Sequence, residues 1–253
     1  MNNKSDFEQI SRVNLLTMLQ LGLFQMGLSM MSILTLGVLN RVMIQELAIP
    51  ATIVAAVLAI PLFVSPVRVW FGQLSDAKPL LGYQRTGYVR VGAAVFATTA
   101  FIAVQVMWQL GNAVQAANGW AWTPQVCAWT GLLALVFAIY GIAISASATT
   151  FTALLVDVSE EDNRSKLVGI VWSLLMVGVI VGAVISGVLL NKLATDSAIE
   201  TLQASVNRLF IIVPTIVFGL ALVATFGIEK SIPNIPPVPQ WQTGKTASPL
   251  LTL

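Results

Sequence analysis

The 253-residue chain is 57% hydrophobic and only 9% charged, with a mean hydropathy of +0.84, whereas a soluble domain carries about 25% charged residues. A net charge of +2 is too small to argue for nucleic acid, and a single cysteine, Cys127, excludes an intrachain disulfide. No histidine is present, which removes the usual imidazole metal ligand and the commonest proton relay, so the composition reads as an all-α integral membrane protein.

The first twelve residues are polar and mixed in charge, followed by an apolar run too long for a signal-peptide core. Residues 1–12 are therefore expected to be a cytoplasmic tail, with the first crossing retained. Six runs meet the spanning criterion of about 20 mostly apolar residues: residues 13–39, 51–70, 91–110, 126–156, 167–190 and 209–228. All should be helices, because a backbone in lipid must satisfy its own hydrogen bonds and these runs are too long for barrel strands. No charge occurs from Val91 to Val156, and the fourth run exceeds one bilayer, which predicts tilt or an extension beyond the membrane.

With the N-terminus placed in the cytoplasm, ten of the thirteen cations fall on that side: Lys4, Arg12, Arg68, Lys78, Arg85, Arg90, Arg164, Lys166, Lys230 and Lys245. Only Arg41, Lys192 and Arg208 lie opposite. That split follows the positive-inside rule and puts both termini in the cytoplasm.

The connection 111–125 is uncharged and holds Trp120 and Trp122, with Trp108 and Trp129 beside it. It reads as an interfacial aromatic belt, or as a platform for a flat apolar ligand. Between the fourth and fifth runs, residues 157–166 pass from acidic to basic; Asp162 or Asn163 would cap the fifth helix, with Arg164 and Lys166 at the headgroups. Gly178 and Gly182 in the fifth run leave a smooth face for another backbone. Prolines 233, 236, 237 and 239 make residues 231–253 an extended cytoplasmic tail or an inter-domain linker after a membrane domain of residues 13–230.

No span carries a charge at its middle, which is the device ion-coupled carriers use. The intramembrane polarity is milder. Gln25, Ser29 and Ser32 share one helical stripe, and Ser145, Thr149 and Thr152 share another. Interhelical hydrogen bonding is one account of the stripes. The other makes them the lining of a central cavity between two three-helix inverted repeats. A catalytic constellation is missing: no triad, no cysteine pair and no phosphate loop. An enzyme and a metal site of its own are therefore not expected.

Gly72-Gln-Leu-Ser-Asp76, after the second run, resembles the loop motif of the major facilitator superfamily, in which Asp76 would meet a helix N-terminus or a cation and latch one conformation. Lys78 stands in Ala77-Lys78-Pro79, where the family has a basic residue followed by Gly, and the next strong cation is Arg85. Gly37-Val-Leu-Asn-Arg-Val-Met43 with Glu46-Leu47, Ser65-Pro-Val-Arg68, Gly82-Tyr-Gln-Arg-Thr-Gly-Tyr88 and Leu155-Val-Asp-Val-Ser159 together look like the PucC-type, or bacteriochlorophyll delivery, branch.

The resemblance implies half of a major-facilitator fold in a thylakoid or intracytoplasmic photosynthetic membrane. It implies a non-enzymatic role in assembling light-harvesting or photosystem complexes, by binding or delivering chlorophyll or bacteriochlorophyll, with carotenoid as a further candidate. Without histidine, a pigment magnesium would need water, a backbone carbonyl or a side-chain oxygen such as that of Gln25, Asn40 or Gln45. The implied partners are the lipid bilayer, photosystem or antenna subunits, and a second six-helix half or another membrane protein. The alternatives are half of a secondary transporter for a small amphipathic solute, and a structural photosystem-associated subunit.

Overall fold

The structure is a computed structural model and describes residues 14–159, 161–193 and 199–229. The two tails assigned from sequence, with Lys4, Arg12, Lys230 and Lys245, lie outside the described residues. Six helices are long and apolar enough to cross a membrane, and no named strand occurs among the described residues. The chain is an all-α integral membrane protein.

Helix α1 runs Leu15–Glu46 and widens into π-helical turns at Leu34–Leu39 and Val42–Glu46. Ala48 at positive φ and Pro50 end it. Helix α2, Ala51–Ala77, consists of two α-helical pieces, Ala51–Phe63 and Val67–Ala77. Pro66 in the intervening turn lacks the N–H that would carry the ladder through it. Helix α3 spans Thr86–Ala116. Helix α4, Pro124–Val158, starts on Pro124, and the Thr123 hydroxyl accepts from the Val126 N–H at 3.3 Å. Helices α5 and α6 span Glu161–Leu193 and Ile199–Thr225.

Each helix overruns its apolar run at one end or both, since helix propensity does not stop at the hydrocarbon boundary. Several residues read as loop are consequently helical. Asn40, Arg41 and Gln45 belong to α1, and the Gly72–Asp76 motif, expected in a loop, forms the last turns of α2. Asp162 and Asn163, expected as caps, lie inside the first turns of α5, which begins at Glu161.

The closely packed pairs are α1 with α5 and α6, α3 with α4 and α6, and α2 with α4. Exchanging α1 with α4, α2 with α5 and α3 with α6 returns the same set, the pattern expected of two three-helix repeats. Lipid offers no hydrophobic drive between helices, so small residues decide the close seams. At Gly178 an added Cβ would collide with Ser29 Oγ and the Met26 carbonyl of α1, and at Gly182 it would come within 3.2 Å of Met30 Cα. The smooth face of α5, read from sequence as open to another backbone, is filled by the chain's own α1. What α5 turns outward is instead a ridge of large apolar side chains at intervals of four residues: Val168, Trp172, Met176, Ile180, Val184 and Val188. Only 11% of the apolar window of α2 and 17% of that of α5 is buried, against 56% for α1 and α3, so α2 and α5 are the least covered of the six.

Candidate functional site

Two polar assemblies stand out, and the first closes the end of the bundle where α2 meets α3. After Ala77 the chain reverses through Leu81 and Gly82, both at positive φ, and Leu80 and Tyr83 exchange backbone hydrogen bonds of 2.8 and 3.0 Å. This tight turn brings Arg85 back onto the end of α2, despite its distance along the chain from the motif. Arg85 pairs with Asp76 at 2.6 Å and with Asp157 of α4 at 2.7 Å, and donates to Ser75 Oγ at 3.0 Å. Lys78 instead ends α2, its carbonyl accepting from the Tyr88 hydroxyl at 3.0 Å.

Glu229, just past α6, accepts from the backbone N–H groups of Gln84, Arg85 and Thr86 and from the Thr86 hydroxyl, the last at 2.6 Å. A carboxylate there satisfies the orphan donors at the start of α3 and complements its dipole. Arg90 completes the tie by donating to Thr225 Oγ1 and to its carbonyl, at 2.9 and 3.0 Å. Sequence reading missed Glu229, whose single signal is an acid directly after the last apolar run.

The two polar stripes are divided by the fold. Ser29 is buried in the α1–α5 seam, where its hydroxyl bonds the Leu175 carbonyl at 2.9 Å, while Ser32 is exposed and bonds its own helix. Ser145 is buried at 3.5 Å from Arg68 Nε of α2, and Thr149 lies against Gly72. Gln25 and Thr152 are the stripe residues brought to one place. They line a groove of about 200 Å³ between α1, α4 and α5, together with Phe151, Leu155, Trp172 and Arg164.

Gln25 is half-buried and makes no side-chain hydrogen bond among the described residues. It lies ten residues into α1, about 15 Å along the axis at 1.5 Å per residue and so roughly half the hydrocarbon thickness. An unsatisfied amide at that depth is costly, and a ligand or a partner side chain would satisfy it. Of the other oxygens considered for a pigment magnesium, Gln45 already accepts from Arg41 at 3.1 Å and Asn40 is exposed.

A larger groove of about 560 Å³ lies between α3 and α6, walled by Phe101, Phe210, Phe218 and Pro214. Its walls are apolar except for Thr98 and Thr215, whose hydroxyls are turned onto backbone carbonyls of their own helices. It offers the chemistry of a lipid-filled cleft. Nearby, Trp108 departs from the belt expected of it: it is buried, and its indole N–H donates to Asn207 at 3.1 Å, as does Gln105 at 3.2 Å. Trp122 remains exposed and packs edge-on against Trp120. Among the described residues no group of three His, Cys, Asp or Glu side chains is placed to hold a metal ion.

The sequence model of the PUCC protein family matches residues 38–248. The chain is 32% identical over 200 residues to Protein PucC of Rhodobacter capsulatus, covering 76% of this chain and 41% of that protein. To Protein PucC of Rhodovulum sulfidophilum it is 31% identical over 166 residues, 63% of this chain and 34% of the relative. To the bacteriochlorophyll synthase 44.5 kDa chain of Rhodobacter capsulatus it is 31% identical over 201 residues, 77% of this chain and 39% of the relative. The matched region thus spans between 34% and 41% of the length of these three relatives. No solved structure matches the chain.

Proposed function

The chain belongs to the PUCC protein family, and from that premise we propose that it is a non-enzymatic membrane protein assisting the assembly of chlorophyll-type pigment–protein complexes, a light-harvesting antenna or a photosystem. The observation that carries this reading is the family match over most of the chain, supported by a relative whose name refers to bacteriochlorophyll synthesis. The absence of histidine from the whole sequence and the spans without mid-membrane charge favour binding over catalysis or ion coupling. The ten-to-three split of cations supports a cytoplasmic position for the Asp76–Arg85–Asp157 clasp.

The ligand implied is a chlorophyll or bacteriochlorophyll, with carotenoid as a second candidate. Gln25 offers an amide oxygen without a partner among the described residues, and Trp172 offers an exposed flat wall. Were such a ring bound here, Gln25 would hold its magnesium through the amide oxygen and Trp172 would pack on its apolar surface. The pigment supplies the metal and the conjugated ring; the chain supplies an oxygen, an aromatic surface and the apolar walls of Phe151 and Leu155. The uncovered sides of α2 and α5 are the natural contacts for a second six-helix unit or for antenna or photosystem subunits, in the manner of a major-facilitator half.

Purification from a photosynthetic membrane tests the reading. Absorbance near the chlorophyll red band, or co-purifying photosystem or antenna subunits, is the expected result, and a preparation with neither would reject it. The two-fold packing pattern favours a second reading, transport of a small amphipathic solute, as transporters are built from such repeats. Saturable uptake into proteoliposomes that is lost in Gln25→Ala would select it.

A further inference from the structure

The groove between α1, α4 and α5 changes character along its length. At its mouth, Arg164 places Nε on Ser159 Oγ at 3.1 Å, and Ser159 Oγ donates in turn to the Val156 carbonyl at 3.0 Å. The terminal guanidinium nitrogens of Arg164 take no partner among the described residues, and neither ion pair found there includes it. Glu161 and Asp162 occupy the same end of α5 but are not among the residues lining the groove. Further in, Trp172 presents an indole that is 58% exposed, flanked by Phe151, Leu155 and Val168. At the deep end are Gln25 and the Thr152 hydroxyl, which donates to the Ala148 carbonyl at 2.9 Å and keeps lone pairs to accept with.

A fixed order of cation, flat apolar wall and neutral hydrogen-bonding pair matches an amphiphile with an anionic head. The cation sits where the headgroup region meets the hydrocarbon, and guanidinium forms charge-assisted bonds with carboxylate or phosphate. We propose that this groove binds an amphipathic anion, its carboxylate or phosphate on Arg164, its apolar body against Trp172 and one polar atom within reach of Gln25. The anion site follows from the groove itself, while a tetrapyrrole as one of its sources rests on the pigment reading proposed for the same groove. Two sources share the chemistry, a tetrapyrrole bearing a free carboxylate and an anionic membrane lipid.

The test uses the full chain in phosphatidylcholine nanodiscs, with three probes: a chlorin bearing a free carboxylate, its esterified counterpart, and phosphatidylglycerol. Arg164→Gln should weaken binding of the anionic probes about tenfold, with partial recovery in Arg164→Lys and no change in Arg41→Gln, a cation outside the groove. Gln25→Leu should weaken the same probes without lowering the melting temperature of the protein. Preference for the free-acid chlorin over its ester identifies a tetrapyrrole acid, whereas displacement of that chlorin by phosphatidylglycerol identifies the lipid. Equal binding of both anionic probes by the wild type and Arg164→Gln overturns the proposal, as does an equal loss in Arg41→Gln. Because no assembled complex is measured, this outcome is separate from that of the assembly reading.

Discussion

Arg85 holds two acids whose surroundings differ. The Asp76 side chain is 46% exposed and that of Asp157 is 21% exposed, so water screens the first pair more strongly. Asp157→Asn should therefore destabilise the protein by about 1–2 kcal/mol and Asp76→Asn by under about 1 kcal/mol, read from thermal unfolding in detergent. Equal losses would mean that the two ion pairs are not distinguished by burial. Glu229→Gln keeps an acceptor but removes the charge, whereas Glu229→Ala removes both and should cost about 1–2 kcal/mol. Hydrogen exchange at Gln84, Arg85 and Thr86 should rise in Glu229→Ala, and unchanged protection would show that the carboxylate is not their partner. Asp76, Arg85 and Asp157 were each legible as members of motifs. Their joining was not, because Arg85 and Asp157 are 72 residues apart and pairing depends on where α4 ends. Glu229 reaches Thr86 across 143 residues and belongs to no motif.

The helical elements show where local patterning succeeds and where it stops. Each span was visible as an apolar run, but the runs end where hydrophobicity ends, and the helices continue on backbone hydrogen bonds into polar sequence. For this reason Gly72–Asp76 looks like a loop in the sequence and is helix in the structure. The turn after it is strained: Leu81 adopts φ +56 with its side chain 69% exposed, a conformation that costs a β-carbon residue roughly 1–2 kcal/mol. Leu81→Asn should raise the unfolding free energy by about 1 kcal/mol, as Asn tolerates this region better and little packing is lost. A lower melting temperature would mean that Leu81 is held by contacts outside the chain. On α5 the glycines were legible as a packing face, but which helix they face was not. Gly178→Leu should open the α1–α5 seam and lower stability by several kcal/mol, because the atoms it meets include the Met26 backbone, which cannot swing aside.

Across the whole molecule, the two-fold relation makes the α2–α4 seam the counterpart of the α1–α5 seam. At Gly141 an added Cβ would lie 2.6 Å from Pro61 Cα, another backbone approach. If the two seams are separate structural equivalents, Gly141→Ala and Gly178→Ala should each destabilise the chain, and the double variant should lose the sum within about 0.5 kcal/mol. A loss far from the sum would show that the repeats are coupled through α3 and α6. Hydropathy and run length are properties of adjacent residues, so six membrane-spanning helices, an all-α class and, through its motifs, the family were legible in the chain before any packing was known. Tertiary structure alone decided that Ser29 and Ser145 serve seams while Gln25 and Thr152 share a groove, that Arg85 joins α2 to α4, and that α5 spends its glycines on α1 and turns its large apolar ridge outward. Those outcomes depend on which helices lie side by side, and in lipid that is set by backbone approach and by pairing of polar groups far apart in the chain, neither of which has a local sequence signature.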